Sequence, residues 1–252
     1  MSQHRFLPLI AIALATLLLL AWSPPKRPAP DQKPAPPPPL IIHGSRMLPE
    51  VALTFDACPA VGYDAAIVHV LTETQTPATF FLSGRWMQGH VTATKTLVSM
   101  PYFELGEHSW SHPDFSRLGL ARMDDEITRT EKLLTQLSGR RGTLFRFPYG
   151  SYTSQAIREV YRMGLTPIEW DVVSADPVPS LSANVMTKRV LAAAQNGSII
   201  IMHVNGRGWH TAQALPGIIA GLRARGFRLV TVSHLLADST SSSQAEREKP
   251  ER

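Results

Sequence analysis

The chain holds a single cysteine, Cys58, among 252 residues. One thiol excludes a disulfide framework, and it excludes zinc sites of the Cys₂His₂ or Cys₄ kind. No cysteine borders the apolar run at the N-terminus, so a lipoprotein anchor is excluded too. Charge of one sign is also scarce where it would count. Residues 1–49 carry five basic residues against one acidic, residues 50–238 carry 17 against 16, and residues 239–252 carry three of each. A nucleic-acid binder concentrates basic charge on its domain, so no nucleic acid is expected as a partner. No Gly-x-Gly-x-x-Gly follows the first apolar run of the middle segment, which weighs against a dinucleotide site. Apolar residues make up 44% of the chain and charged residues 18%, a balance that excludes disorder over most of its length.

The ends differ from the middle. Phe6 to Trp22 is an uncharged run of 17 residues behind Arg5. It reads as a signal peptide or an N-terminal membrane anchor over 1–22. Such a helix would span about 25 Å, slightly short of the roughly 30 Å of bilayer hydrocarbon, so length alone does not separate the two. Either way the chain is expected to be exported, to the periplasm or the extracellular face, with the inner membrane as partner if the segment is retained. Residues 23–39 hold nine prolines in 17 positions. They open a proline-rich linker over 23–49, suited to polyproline II. Residues 50–238 form the expected domain, and 239–252 read as a disordered tail.

Seven short apolar or β-branched runs cross the domain, at 51–55, 78–82, 102–105, 144–147, 167–170, 198–202 and 228–232. Helical spacing separates most of them, at 65–71, 118–137, 154–163, 183–194 and 212–225. Gly164, Gly197 and Gly226 stand where a helix should stop. Strands alternating with helices imply a parallel sheet, either an open one or a barrel short of eight units.

Polar residues collect just past the strand runs, the end that carries the site in parallel barrels. Asp56 follows the first run, as base, metal ligand or helix N-cap. His108 and His112 follow the third; four residues apart, they share a face if the segment makes a helical turn, and two such imidazoles suit a metal. Arg146 lies between Phe145 and Phe147 and needs a partner, for which Asp56 is the candidate. Asp171 and Asp176 follow the fifth run. His203 ends the sixth, as a core histidine or a general acid.

These segments resemble the polysaccharide deacetylases of carbohydrate esterase family 4, the NodB-homology domain. Thr54-Phe55-Asp56-Ala57 is similar to the first motif of that family. Gly106-Glu107-His108-Ser109-Trp110-Ser111-His112-Pro113 is similar to the second, and Arg146-Phe147-Pro148-Tyr149-Gly150 to the third. Trp170 to Asp176 resembles the fourth more loosely, and Ile201-Met202-His203 the fifth. The resemblance spans about 51–236 and implies a distorted seven-stranded (β/α) barrel. It implies metal-dependent removal of N-acetyl groups from an amino-sugar polymer or oligomer, of peptidoglycan or chitooligosaccharide type. By the same carry-over Asp56 is the base that activates water, oriented by Arg146. His203 is the acid for the leaving amine, paired with Asp176. His108 and His112 hold a divalent metal, zinc first. Tyr149, Trp170 and Trp209 are candidate sugar-packing residues.

The first motif departs from the family pattern. Ala57 stands where the family places a second aspartate, the third protein ligand. Asp56, the Cys58 thiolate or water are the candidate replacements, and His210 in Gly206-Arg207-Gly208-Trp209-His210 is another. Pro177 stands where the family commonly has Trp. A glycan-binding pseudoenzyme on the same fold, or a hydrolase of a non-sugar C–N bond, is the alternative.

Overall fold

The structure, a computed structural model, describes residues 38–59 and 62–238. The expected signal or anchor, most of the proline-rich linker and the tail lie outside the described residues. Among the described residues no helix is long and apolar enough to cross a membrane.

The elements run β1 (Glu50–Ala57), α1 (Ala65–Glu73), β2 (Ala78–Leu82), α2 (Gly84–Gly89), α3 (Val91–Ser99), β3 (Phe103–Glu107), α4 (Leu120–Ser138) and β4 (Leu144–Phe145). Then come α5 (Ser154–Arg162), β5 (Thr166–Pro167), β6 (Val172–Val173), α6 (Ala183–Ala193), β7 (Ser198–His203), α7 (Thr211–Ala224) and β8 (Arg228–Val230). All strand pairs are parallel, in the order β5-β4-β3-β2-β1-β7-β6, with β8 beside the start of β1. The path begins at β5 and ends at β6, yet only residues 168–171 separate those two strands. A link that short reaches at most about 18 Å, so the two edges must come together and the sheet curls into a distorted barrel.

β1 sits at the centre and all eight of its residues are buried. Its faces differ, as strand alternation requires. Val51, Leu53, Phe55 and Ala57 join the main apolar core beneath the helices. Thr54 and Asp56 point to the other side, where both meet Arg146.

Three features depart from the sequence pattern. α2 and α3 were not expected: α2 is one short turn bounded by glycines, and α3 is rich in Thr and Val, weak helix formers. β6 is a two-residue strand too short to leave a period. Residues 40–44, placed in the linker from sequence, lie against the sheet: Ile41 bridges Ile168, and the Gly44 N–H donates to the Gly197 carbonyl at 2.8 Å. Gly164 and Gly226 do close α5 and α7 in the left-handed region, at φ 81° and 82°. Gly197 also has positive φ, but three residues past the cap of α6, because a Cβ there would meet the backbone of Gly44 and Ser45.

Candidate active site

The strand ends build a small cleft of about 220 Å³, lined by Asp56, Cys58, His108, His112, Tyr149, Trp170, Asp176 and His203, with Val173, Ser174, Pro177, Ile201 and Arg207. β1 and β7 run in register, so Asp56 and His203 are direct Cα partners. Side chains at matched positions of a parallel pair share a face, and both reach the cleft.

Asp56 is 3% exposed. Arg146, with no exposed surface, donates to Asp56 Oδ1 at 2.7 Å and to Thr54 Oγ1 at 2.8 Å. Its other N–H groups reach the carbonyls of Ile168 and Glu169, both at 3.3 Å. Its guanidinium lies 4.0 Å from the Phe81 ring centre. Burial works to raise the Asp56 pKa, but the Arg146 charge, with smaller help from His108 and His203, carries it below the usual carboxylate value. The expected Asp56–Arg146 pair is therefore present, and it keeps a carboxylate ionised.

Beside Asp56, on the neighbouring strand, His203 has the opposite bias. Its Nδ1 lies 2.9 Å from Asp176 Oδ1, and its backbone N–H donates to Asp176 Oδ2 at 2.6 Å. Burial opposes protonation, but Asp176 outweighs it and the pKa rises above the ordinary imidazole value. Thr211 Oγ1 and Ser174 Oγ also donate to Asp176, at 2.9 and 3.1 Å. Those two residues were missed from sequence. Thr211 opens α7, where a hydroxyl reads as a helix-start feature; only the packed loop turns it onto Asp176.

His108 and His112 meet, but not on a helical turn. Residues 108–112 form a loop in which Ser109 and His112 are left-handed, at φ 62° and 58°. Two buried carboxylates hold the loop: Glu107 accepts from the Ser109 N–H at 2.9 Å, and Glu126 accepts from the Ser111 N–H and hydroxyl, both at 2.6 Å. The imidazole centroids come within 4.7 Å of each other. The carbonyl of Arg146, 2.8 Å from His108 Nδ1, can only accept, so that nitrogen carries the proton and Nε2 is left with its lone pair toward the cleft. Burial holds both rings neutral and brings His112 down to about 3. Neutral, oriented imidazoles fit one side of a divalent cation site.

The third protein ligand is another matter. Ala57 faces the apolar core, away from the imidazoles. Asp56 Oδ2 comes within 3.7 Å of His108 Nε2, but among the described residues no third His, Cys, Asp or Glu groups with both imidazoles within 4.8 Å. Cys58 Sγ is instead 2.7 Å from Asn205 Nδ2. His210 is turned outward, its ring nitrogens near Gln213 and the Pro179 carbonyl. The donors present fit a cation held by two imidazoles and completed by water, not a zinc with three protein ligands. A separate group, Glu50, His234 and Asp238, brings three ligand atoms within 4.8 Å of one another. It sits at the opposite end of β1, and Arg228 already bridges its two carboxylates. Replacing His108 or His112 by alanine should weaken metal binding more than about 10-fold, the scale found even for outer-sphere partners. Titration of metal-free protein with Zn²⁺ reads this directly, and unchanged affinity in both variants would remove the pair as ligands.

The remaining candidates separate. Tyr149 is 67% exposed at the cleft edge with φ 62°, and its ring packs on His112 at 4.4 Å. Such a left-handed non-glycine costs roughly 1–3 kcal/mol and tends to be kept where it serves a site. Trp170 lines the cleft, whereas Trp209, 58% exposed, stands outside its lining. Asp171 is drawn away to Arg46, Ser198 and the Ile199 N–H.

Glu169 was also not anticipated. It is buried beneath the Phe147–Gly150 turn, accepting from the Phe147 N–H at 3.1 Å, while its Oε2 has no partner among the described residues. Burial pushes its carboxyl up to about 8, against the opposing pull of Arg146. Between the ordinary carboxylate range and pH 8 the folded state thus holds a proton that the unfolded state has lost, and stability falls as pH rises through that window. Glu169→Gln keeps the acceptor and removes the titration. Urea midpoints should show the variant gaining on the native chain from pH 5 to pH 8; parallel profiles would refute the assignment.

Comparison with known proteins agrees with this geometry. Residues 44–168 match the polysaccharide deacetylase family. The crystal structure of a peptidoglycan N-acetylglucosamine deacetylase superposes with a TM-score of 0.75 at 27% identity, covering 79% of this chain and 92% of that one. A family 4 pseudoenzyme of Bacillus anthracis superposes with a TM-score of 0.73 at 26% identity, covering 79% and 69%. Among curated proteins, the uncharacterized protein YlxY of Bacillus subtilis is 29% identical over 202 residues, 79% of this chain and 61% of its own length. The chain belongs to the polysaccharide deacetylase family. It spans only 39–61% of the length of the first curated relatives it matches.

Proposed function

We propose that this chain is an exported hydrolase that removes N-acetyl groups from an amino-sugar polymer or oligomer, of peptidoglycan or chitooligosaccharide type. The observation that carries the reading is the side-by-side placement of Asp56, biased toward its anion, and His203, biased toward its cation. That is the opposed pair that general base and general acid catalysis needs. Asp56 takes a proton from the attacking water while Arg146 holds the carboxylate in place. His203, kept charged by Asp176, gives its proton to the amine as the C–N bond breaks, leaving acetate and a free amino sugar. The Tyr149 N–H shares the negative charge that develops on the acyl oxygen. Tyr149 and Trp170 pack on the sugar, with Trp209 offering a platform outside the cleft. A divalent cation on His108 and His112, zinc being well suited to imidazole, would polarise the acyl carbonyl. We place residues 50–238, with 40–49 laid against them, as the catalytic domain.

Acetate release from chitooligosaccharide and peptidoglycan fragments, with Asp56→Asn as control, tests the reading. No release from either by the native chain would refute it. A second reading, a glycan-binding pseudoenzyme, is favoured by Ala57 and by the Bacillus anthracis neighbour. It expects glycan binding without acetate.

A further inference from the structure

We propose that the segment ahead of the barrel, Pro39 to Arg46, sets the position of the base, and that Leu40 and Ile41 are positioning residues for Arg146. The inference rests on the hydrolase reading above, in which Arg146 holds Asp56, and it names what holds Arg146. One peptide unit makes the connection. The Ile168 carbonyl and the Glu169 N–H belong to the same planar trans peptide, so they point in opposite directions. The N–H donates to the Ile41 carbonyl at 2.7 Å. On the other side the Ile168 carbonyl accepts from Arg146 Nε at 3.3 Å, and Arg146 Nη1 reaches Asp56 Oδ1 at 2.7 Å. A chain of hydrogen bonds thus runs from the Ile41 carbonyl to the base, and the bonds of such a chain polarise one another. Tilting the peptide plane moves the acceptor of Arg146 Nε. That bond and the one from Nη2 to the Glu169 carbonyl, also 3.3 Å, are already long and have little room to lengthen.

The segment is fastened where it touches this link. The Ile41 N–H donates to the Pro167 carbonyl at 3.2 Å, so Ile41 brackets Ile168 as a parallel bridge. Its side chain packs with the cluster of Phe81 and Ile168, and Phe81 is the ring beneath the Arg146 guanidinium. Leu40 packs on the cluster that holds Phe145 and Phe147, the residues on either side of Arg146. Ahead of them the Pro39 carbonyl accepts from the Tyr161 hydroxyl at 2.9 Å. Behind them Arg46 pairs with Asp171 at 2.8 Å, at the far end of the same link. Ile42, the next residue in the chain, is 43% exposed and lies outside both clusters. Neither Leu40 nor Ile41 lines the cleft, so their effect reaches the chemistry only through Arg146.

The test uses the full chain. Ile41→Gly and Leu40→Gly loosen the segment, Ile41→Val keeps it, and Ile42→Gly is the control at the exposed position. Three signals are read: amide exchange at Glu169, the NMR signal of the Arg146 Nε–H, and acetate release from chitotetraose. In both loosened variants exchange at Glu169 should quicken by about 10-fold, the equivalent of one lost backbone hydrogen bond. Phe80, paired with Phe55 in the central ladder, should keep its native protection. The Arg146 Nε–H signal should move or broaden. Turnover should fall by about 10- to 100-fold, the scale of a misplaced reacting group, with KM nearly unchanged. Ile41→Val and Ile42→Gly should match the native chain in all three. If a glycine variant does not fold, Ile41→Ala, a milder truncation, is read in its place. Quicker exchange at Glu169 with a native Arg146 signal or native turnover overturns the inference, as does protection lost equally at Phe80 and Glu169. If no chain, the native one included, releases acetate, the hydrolase reading falls and the Arg146 signal alone decides this one: a shifted signal upholds it and an unchanged one overturns it.

Discussion

Truncating His203 to alanine is expected to lower turnover by about 10²–10⁴-fold, the usual worth of a general acid. The cost in stability should be far smaller. The imidazole side chain is 18% exposed and makes one side-chain bond, to Asp176. Asp176 keeps the Thr211 and Ser174 hydroxyls and the backbone N–H of residue 203 after the truncation. Loss of that bond costs roughly 1–2 kcal/mol. The loss has a sign in pH. Because the folded pKa of His203 is raised, its stabilisation is complete below the unfolded value of about 6.5 and fades as pH rises through the folded one. Urea midpoints of the native and variant chains should therefore converge on going alkaline, while their rates stay far apart. A folded variant with near-normal acetate release would take His203 out of the mechanism.

Arg146→Ala should instead damage both folding and activity. It leaves the Asp56 carboxylate buried without its counter-charge, and breaking a buried pair on one side typically costs about 3–5 kcal/mol. Burial would then meet only the smaller opposing pull of His108 and His203, so the Asp56 pKa rises and more of the base is protonated. In the native chain the lowered pKa contributes stability above about pH 3.9, and that contribution is lost as pH falls through the folded value. In the variant the sign reverses: its deficit is greatest at neutral pH and shrinks on acidification. Adding Asp56→Asn should recover part of the stability and none of the activity. If the double variant is no more stable than Arg146→Ala at pH 7, the charge argument fails.

The contrast between these two residues shows how unevenly a site is written into a sequence. Arg146 between two phenylalanines announces itself, because a cation in an apolar run must be paired. The partner named from sequence, Asp56, is the one found. His108 and His112 also announced themselves, but for a reason that did not hold: their spacing suggested a helical turn, and the turn is a loop bent by two left-handed residues. Thr211, Ser174 and Glu169 gave no signal at all. A threonine at a helix start, a serine before an alanine and a glutamate beside a tryptophan are ordinary until the chain is folded. Then the first two bond Asp176, and the third is shut beneath the Phe147–Gly150 turn.

The sequence by itself determined the alternation of strands and helices, the parallel sheet, the family, and which end of the strands would carry the chemistry. Hydrophobic period and the placement of polar residues are local properties, legible one segment at a time. The residue pattern treats Asp171 and Asp176 alike; the family resemblance names Asp176, and the tertiary structure places that one beside His203. Asp171 and Asp176 follow the same run, yet one is held by Arg46 and Ser198 and the other by His203. Tertiary structure also decided that, among the described residues, no third carboxylate, imidazole or thiol groups with both imidazoles within 4.8 Å. Strand alternation turns Ala57 into the core beside Phe55 while Asp56 faces Arg146. Neighbours in the chain become strangers in space because a strand sends successive side chains to opposite faces, and residues far apart meet because the sheet curls.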